Sequence, residues 1–267
     1  MRILLCGDVV GRSGRETIIK NIPLIKKEES IDFVMVNGEN AANGFGITKK
    51  ICDSFYSVGV DVITTGNHVW DQKETINFID GDKRLLRPVN YPKIAPGKSY
   101  GIYSTFLGIN VAVINVMCRL FMDFVADPFE LLIEKIEQIK DYNNKVLIIV
   151  DVHGEATSEK MAIGHFLDGK VSIVVGTHTH VPTADQQILE NGTFYQTDLG
   201  MCGDYNSVVG MKKEISISRF RHKYLKKKLE TADGEATLCG AIIEVDNKSL
   251  FPKSFKQVKI DGKIGLK

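Results

Sequence analysis

The sequence predicts an α/β fold. Three features carry that expectation: short apolar runs rich in β-branched residues, amphipathic helical stretches between them, and late strand pairs joined by tight-turn residues. The runs are apolar without alternation, which suits central strands covered on both faces.

The first run is residues 3–6, and residues 15–27 follow with helical periodicity. Residues 33–36 and 62–63 give the second and third strands. Residues 100–117 read as strand, turn, strand, with the turn at Gly108-Ile109-Asn110. In residues 129–142, Leu132, Ile136 and Ile139 recur at i, i+4 and i+7, so one helix face is apolar. Residues 146–150 and 171–175 are the fourth and fifth buried strands. Residues 184–197 turn at Glu190-Asn191-Gly192, where Asn-Gly tolerates the positive φ of a hairpin turn. A last pair lies between positions 236 and 260 and turns near Asp246-Asn247-Lys248. No repeat, low-complexity tract or linker divides the chain, so one domain over residues 1–267 is expected.

Composition narrows the class. The 267 residues carry 34 Lys+Arg against 33 Asp+Glu, a net charge of +1, which argues against a chain-wide electrostatic footprint for nucleic acid. At 43% hydrophobic and 25% charged the chain is of globular, not disordered, composition. Cys6, Cys52, Cys118, Cys202 and Cys239 form no C-x-x-C pair, which excludes a zinc ribbon and points to core residues in a reducing compartment. With no basic-then-apolar leader and no apolar run near the ~20 residues of a membrane span, a cytoplasmic protein without membrane partners is expected.

The functional signal lies at the strand ends. The first run leads into Gly7-Asp8, the second into Gly38-Glu39-Asn40 and the third into Gly66-Asn67-His68. The fourth continues through Asp151 to His153, and the fifth through Gly176-Thr177 to His178-Thr179-His180. Ligands bind outside the carboxyl ends of α/β strands, where loops converge over a rigid edge. Each segment alone has an ordinary reading. Asp8 or Glu39 could cap a helix, Asn40 and Asn67 could be turn residues, and a lone His153 could be a hydrogen-bonded interior group. Their shared position outweighs those readings. His165 and His222 occupy helix-like or basic contexts and are read as structural.

Carboxylate, amide and imidazole without thiolate suit Mn, Fe or Zn. The candidates exceed the needs of one tetrahedral ion, and a carboxylate such as Glu39 can bridge two. His178 and His180, two apart on an expected extended segment, would face the same side.

These segments resemble the calcineurin-like metallophosphoesterases. Gly66-Asn67-His68 matches that superfamily's G-N-H-[D/E], and residues 176–180 match its G-H-x-H with one residue inserted. Two departures, Asp8 without a following histidine and Glu39-Asn40 at the bridging position, match its bacterial 2′,3′-cyclic-nucleotide 2′-phosphodiesterase branch. Residues 86–92, 151–160 and 197–201 extend the likeness over nearly the whole chain.

The resemblance implies a four-layer α-β-β-α sandwich of two mixed sheets and two divalent or trivalent transition-metal ions, Fe or Mn ahead of Zn or Mg. It implies Asp8, Glu39, Asn40 and His180 around one ion, and Glu39, Asn67, His153 and His178 around the other. Activity would be hydrolysis of phosphodiesters such as 2′,3′-cyclic nucleotides by a metal-bridging hydroxide. His68, next to a ligand but assigned to no ion, has the near-neutral intrinsic pKa of a general acid, and Asp71, three residues on, could orient it. A homo-oligomer is expected by the same analogy.

Other readings compete. Gly11-Arg12-Ser13-Gly14 could hold an anion on backbone amides or be a simple turn with Ser13 as N-cap. The spacing fits neither a P-loop nor G-x-G-x-x-G, and a Rossmann-like reading leaves the histidines unexplained. A phosphomonoesterase could use the same metal site. A non-enzymatic RNA-binding protein would use Arg219, Arg221, Lys223, Lys226, Lys227 and Lys228, though a solvated strand or loop is the blander reading of that tract.

Overall fold

Alternation in the first strand decides how the layers stack. The computed structural model describes every residue except 143, 144, 223, 225, 226, 266 and 267. Strand β1 (Arg2–Val9) sends Ile3 and Leu5 into one apolar cluster and Leu4 and Cys6 into another, so both its faces are buried.

The chain continues through α1 (Gly11–Glu28), β2 (Phe33–Asn37), α2 (Lys49–Ser57), β3 (Val62–Thr64) and the short α3 (Thr75–Phe78). Next come β4 (Tyr100–Ser104), β5 (Asn110–Met117), α4 (Pro128–Tyr142), β6 (Val146–His153), α5 (Thr157–Leu167) and β7 (Ile173–Thr177). It ends with β8 (Gln187–Ile188), β9 (Phe194–Gln196), β10 (Met201–Asp204), α6 (Lys213–Arg221), β11 (Ala236–Val245) and β12 (Pro252–Ile260).

One sheet has the order β12-β11-β10-β1-β2-β3, the other β4-β5-β6-β7-β9-β8. In the first, β1, β2, β3 and β10 run parallel, β11 runs antiparallel to β1 and β10, and the edge strand β12 pairs antiparallel with β11. In the second, β5, β6, β7 and β9 are parallel, with β4 and β8 as antiparallel edges. The expected hairpins at residues 100–117, 184–197 and 236–260 are β4–β5, β8–β9 and β11–β12.

Three clusters make the four layers. Ile3, Leu5 and Met35 of the first sheet meet Val113, Ile149 and Val175 of the second. The first sheet's outer face packs Leu4 and Val36 against Ile18 and Ile22 of α1 and Phe55 of α2. The second sheet's outer face packs Ile114 and Ile148 against Leu132 and Ile136 of α4 and Ile163 of α5. All five cysteines are buried and free. Among the described residues no helix is long and apolar enough to cross a membrane.

Three local expectations are corrected. First, β1 does not stop before Asp8 but runs to Val9, because it changes partner: Arg2 to Cys6 pair with β11, and Asp8 and Val9 pair with β10. Second, Ser13 is no N-cap; α1 opens at Gly11 after Val10, and the Ser13 hydroxyl donates to the Ala232 carbonyl. The Gly11 amide is given to the Asn40 carbonyl. Third, Arg219 and Arg221 lie on α6 rather than on a strand or loop, and Lys223 and Lys226 fall outside the described residues.

Candidate metal centre

The carboxyl ends of β1, β2, β3, β6 and β7 bring the seven predicted ligands together between the two sheets. His153, the last residue of β6, is fully buried. Its Nε2 lies 3.0 Å from Glu39 Oε1, 3.1 Å from Asn67 Oδ1 and 3.1 Å from His178 Nδ1. Four ligand-type atoms from four strand ends thus crowd one point. Glu39, His153 and His178 each offer a ligand atom within 4.8 Å of the others.

The other half gathers around Asp8. His180 Nε2 sits 3.9 Å from Asp8 Oδ1 and 3.2 Å from Asn40 Nδ2, while Asn40 Nδ2 also donates to Glu39 Oε1 at 3.1 Å. Asp8 Oδ2 accepts the His178 amide at 3.0 Å. Asp8 Oδ1 is buried without a hydrogen-bond partner, a costly arrangement for a carboxylate oxygen unless a cation meets it.

Proton positions on the three imidazoles follow from what lies outside the cluster. The Thr177 hydroxyl donates to Asp151 Oδ1 at 2.8 Å, so toward His153 Nδ1, 2.9 Å away, it can only accept. The Val209 carbonyl accepts from His180 Nδ1 at 2.8 Å. The Glu155 carboxylate faces His178 Nε2 at 3.2 Å. In each ring the outward nitrogen carries a proton, which leaves the inward nitrogen to bind a cation, the arrangement typical of metal-ligating histidines. Sequence reasoning missed all three partners. A carbonyl has no sequence signature, Thr177 stands in the strand-end segment with no role of its own, and Glu155 falls only within a stretch of likeness.

The electrostatics agree. Burial pushes the Asp8 carboxyl up to about 6, only partly offset by His180 and His153. Burial also opposes the charge of Glu39, but the adjacent His153 outweighs it and holds that carboxyl down at about 2. His153 is pulled the other way: burial lowers it, and Glu39 raises it to about 9. Burial and then the neighbouring His153 lower His178 to about 3, keeping it neutral. A cation replacing the inward proton of His153 would satisfy the same acceptors.

Backbone form makes this crowding feasible. A Cβ on Gly66 would come within 2.2 Å of His153 Nε2 and 2.4 Å of Glu39 Oε2, so only glycine fits there. The expected extended segment at residues 178–180 is instead a bend. His178 and His180 have φ of +100° and +65°, and this left-handed turn, not strand alternation, directs both rings inward. Buried Asp198 holds it by accepting the Thr179 amide and hydroxyl at 3.0 and 2.8 Å while paired with buried Lys160 at 2.8 Å. Neither residue was singled out in the sequence.

His68 lies at the rim. Its amide donates to Glu39 Oε2 at 3.2 Å, and its Nδ1 is 2.8 Å from Asp71 Oδ2, the partner expected for it. His165 is exposed on α5, and His222 is the C-cap residue that follows α6. A groove of about 360 Å³ opens over the cluster, lined by Glu39, Asn40, His68, His178 and His180 together with apolar side chains.

Two stacked mixed sheets flanked by helices, with carboxylates and imidazoles at their carboxyl edge, define the class as a metallophosphoesterase fold. The chain belongs to the family described as YmdB-like protein, which it matches over residues 4–258. It is 44% identical over 265 residues to a 2′,3′-cyclic-nucleotide 2′-phosphodiesterase of Bacillus subtilis (strain 168), covering 98% of this chain and 96% of that one. A Mycoplasma pneumoniae protein described as a novel phosphatase superposes with a TM-score of 0.89 at 33% identity, covering 98% and 93% of the two chains. A hypothetical protein of Thermus thermophilus gives 0.90 at 36%, covering 98% and 100%.

Proposed function

We propose that the chain is a dinuclear-metal phosphodiesterase acting on 2′,3′-cyclic nucleotides. It is a hydrolase of phosphoric esters, as its relatives are described. The observation that carries the metal reading is the set of three imidazoles whose outward nitrogens are committed to Thr177, Val209 and Glu155. Asp8, Glu39, Asn40 and His180 would hold one ion; Glu39, Asn67, His153 and His178 would hold the other, with Glu39 shared. When bound, such ions acidify water and neutralise charge on phosphoryl oxygens.

The chain's own groups supply the rest. Glu39 and Asp8 bring the negative charge that keeps two cations close. The Asn67 oxygen already faces the cluster, whereas the Asn40 amide must turn over to present its oxygen. Asp71 fixes the His68 ring through Nδ1, leaving Nε2 to hand a proton to the departing ester oxygen.

A diester fits better than a monoester on charge. Among the described residues no Arg or Lys lines the groove. Arg15 is spent on the Ala41 carbonyl, and Arg12 pairs with Glu16 at the surface. A dianionic monoester usually recruits such cations. The 2′ regiochemistry is supported by the Bacillus relative's description. The test compares kcat/KM for 2′,3′-cyclic AMP, 3′,5′-cyclic AMP and the adenosine monophosphates with Fe, Mn, Zn and Mg. The 2′,3′-cyclic ester should lead; a preference for monophosphates would make the protein a phosphomonoesterase.

A further inference from the structure

The groove over the metal cluster has two chemically different ends. Of the hydrogen-bonding side chains that line it, Glu39, Asn40, His68, His178, His180 and Glu155 belong to the cluster or touch it, and Thr179 gives its hydroxyl to Asp198. The remaining lining is apolar: Phe45, and Val209, Met211 and Leu229 from the chain on either side of α6. A volume of about 360 Å³ lies at the small end of ligand pockets, which span roughly 300–1,000 Å³. Phosphate chemistry accounts for the polar end alone.

Phe45 is held in place by the loop that carries it. Within that loop the Ala42 amide donates to Gly46, the Gly44 amide to Asn40 and the Phe45 amide to Ala42. Gln72 Nε2 donates to the Phe45 carbonyl at 2.6 Å. Gly44 and Gly46 adopt φ of +91° and +75°, and a Cβ at either would strike Thr231 and Met211 on one side or Gln72 on the other. The loop therefore closely abuts both neighbours. Its ring stands edge-on to His68, with centroids 5.1 Å apart and planes at 80°, and remains partly exposed.

We propose that Phe45 is the stacking face of a nucleobase subsite, with Val209, Met211 and Leu229 as its apolar surround. The proposal rests on the 2′,3′-cyclic phosphodiesterase reading and adds what that reading leaves open, namely how the rest of the substrate is held. A cyclic phosphate at the cluster brings its ribose past His68, and the base then meets the aromatic ring beside it. Stacking on a ring is tolerant of base identity, because every base has a π-face and none of these four side chains can read its edge. The subsite should thus favour nucleotides over base-free esters without choosing among nucleotides.

The experiment measures kcat and KM of wild type, Phe45→Ala and Phe45→Trp on the four 2′,3′-cyclic nucleotides and on methyl riboside 2′,3′-cyclic phosphate, which has the same reacting ring and no base. Wild type should handle the four nucleotides within about tenfold of one another. Phe45→Ala should lower kcat/KM for 2′,3′-cyclic AMP roughly five- to hundredfold more than for the base-free ester, chiefly through KM, the span that base–aromatic stacking covers. Phe45→Trp should restore the difference. Equal losses on both esters would show that Phe45 serves only to pack His68 and would overturn the subsite. If wild type cleaves neither ester, the phosphodiesterase reading fails, and the subsite is decided by equilibrium binding of adenosine 3′-monophosphate. Weaker binding by Phe45→Ala sustains it, and unchanged binding overturns it.

Discussion

The two halves of the candidate metal cluster are built on different terms. Around His153 every polar atom has a partner: Glu39, Asn67 and His178 within about 3.1 Å on one side and Thr177 on the other. Around Asp8 the nearest imidazole nitrogens are 3.9 Å away, and one carboxylate oxygen has no partner. The first half balances its own charge, with His153 raised and Glu39 lowered as an ion pair. The second does not, and burial pushes Asp8 toward protonation. A site can thus be preformed in one part and dependent on its ligand in another, with one glutamate joining the two.

The sharpest way to break that difference is at the shared residue. Glu39→Gln removes the carboxylate that compensates His153 and should lower the stability of chelator-treated protein by about 3–5 kcal/mol, the scale for a buried pair stripped of one partner. It should also release both ions; elemental analysis showing two metals per chain with full turnover would refute the bridging role.

His68 lies outside both halves. His68→Ala should keep the metal content and lower kcat by about 10²–10⁴ on alkyl-type leaving groups, and by less on nitrophenyl esters. Metal loss in that variant would place His68 among the ligands instead.

Asp8→Asn tests the uncompensated half. Removing an unpaired buried charge should raise the stability of chelator-treated protein by about 1–3 kcal/mol while impairing metal uptake. Denaturant unfolding measures it, and a loss of stability would mean that Asp8 is compensated after all.

The smallest effects belong to the outward partners. Thr177→Val should weaken metal binding about 10–100-fold, the usual scale for such supports. Glu155→Gln should fall at or below the lower end, since the Glu155 side chain is 52% exposed and water can replace it. Calorimetric titration with Mn²⁺ compares the two variants. A Glu155→Gln loss exceeding that of Thr177→Val would invert the ranking by burial.

The sequence-visible part of this arrangement is what short segments encode. Apolar runs, the heptad-like spacing of Leu132, Ile136 and Ile139, and Asn191-Gly192 are local signals, and their elements formed where expected. Strand β10 escaped notice because Met201-Cys202-Gly203-Asp204 is short and takes its place through distant partners in β1 and β11. The polar cluster was legible because five strand ends repeat one pattern. Their supports were not. Asp198 reaches Thr179 from 19 residues away, and Val209 contributes only a carbonyl. His178 and His180 face inward through positive φ, which no spacing rule for extended chain foresees.

Gly66 supplies no ligand atom, charge or hydrogen bond to the cluster, yet a single methyl there would overlap the nitrogen of His153 and the oxygen of Glu39. The emptiness beside its Cα is therefore a specification as strict as any ligand. A redesign that copied Asp8, Glu39, Asn40, Asn67, His153, His178 and His180 onto another scaffold would inherit the polar groups but not the space for them. Distinguishing chains able to assemble this centre from chains that merely carry its polar residues thus depends on one hydrogen atom.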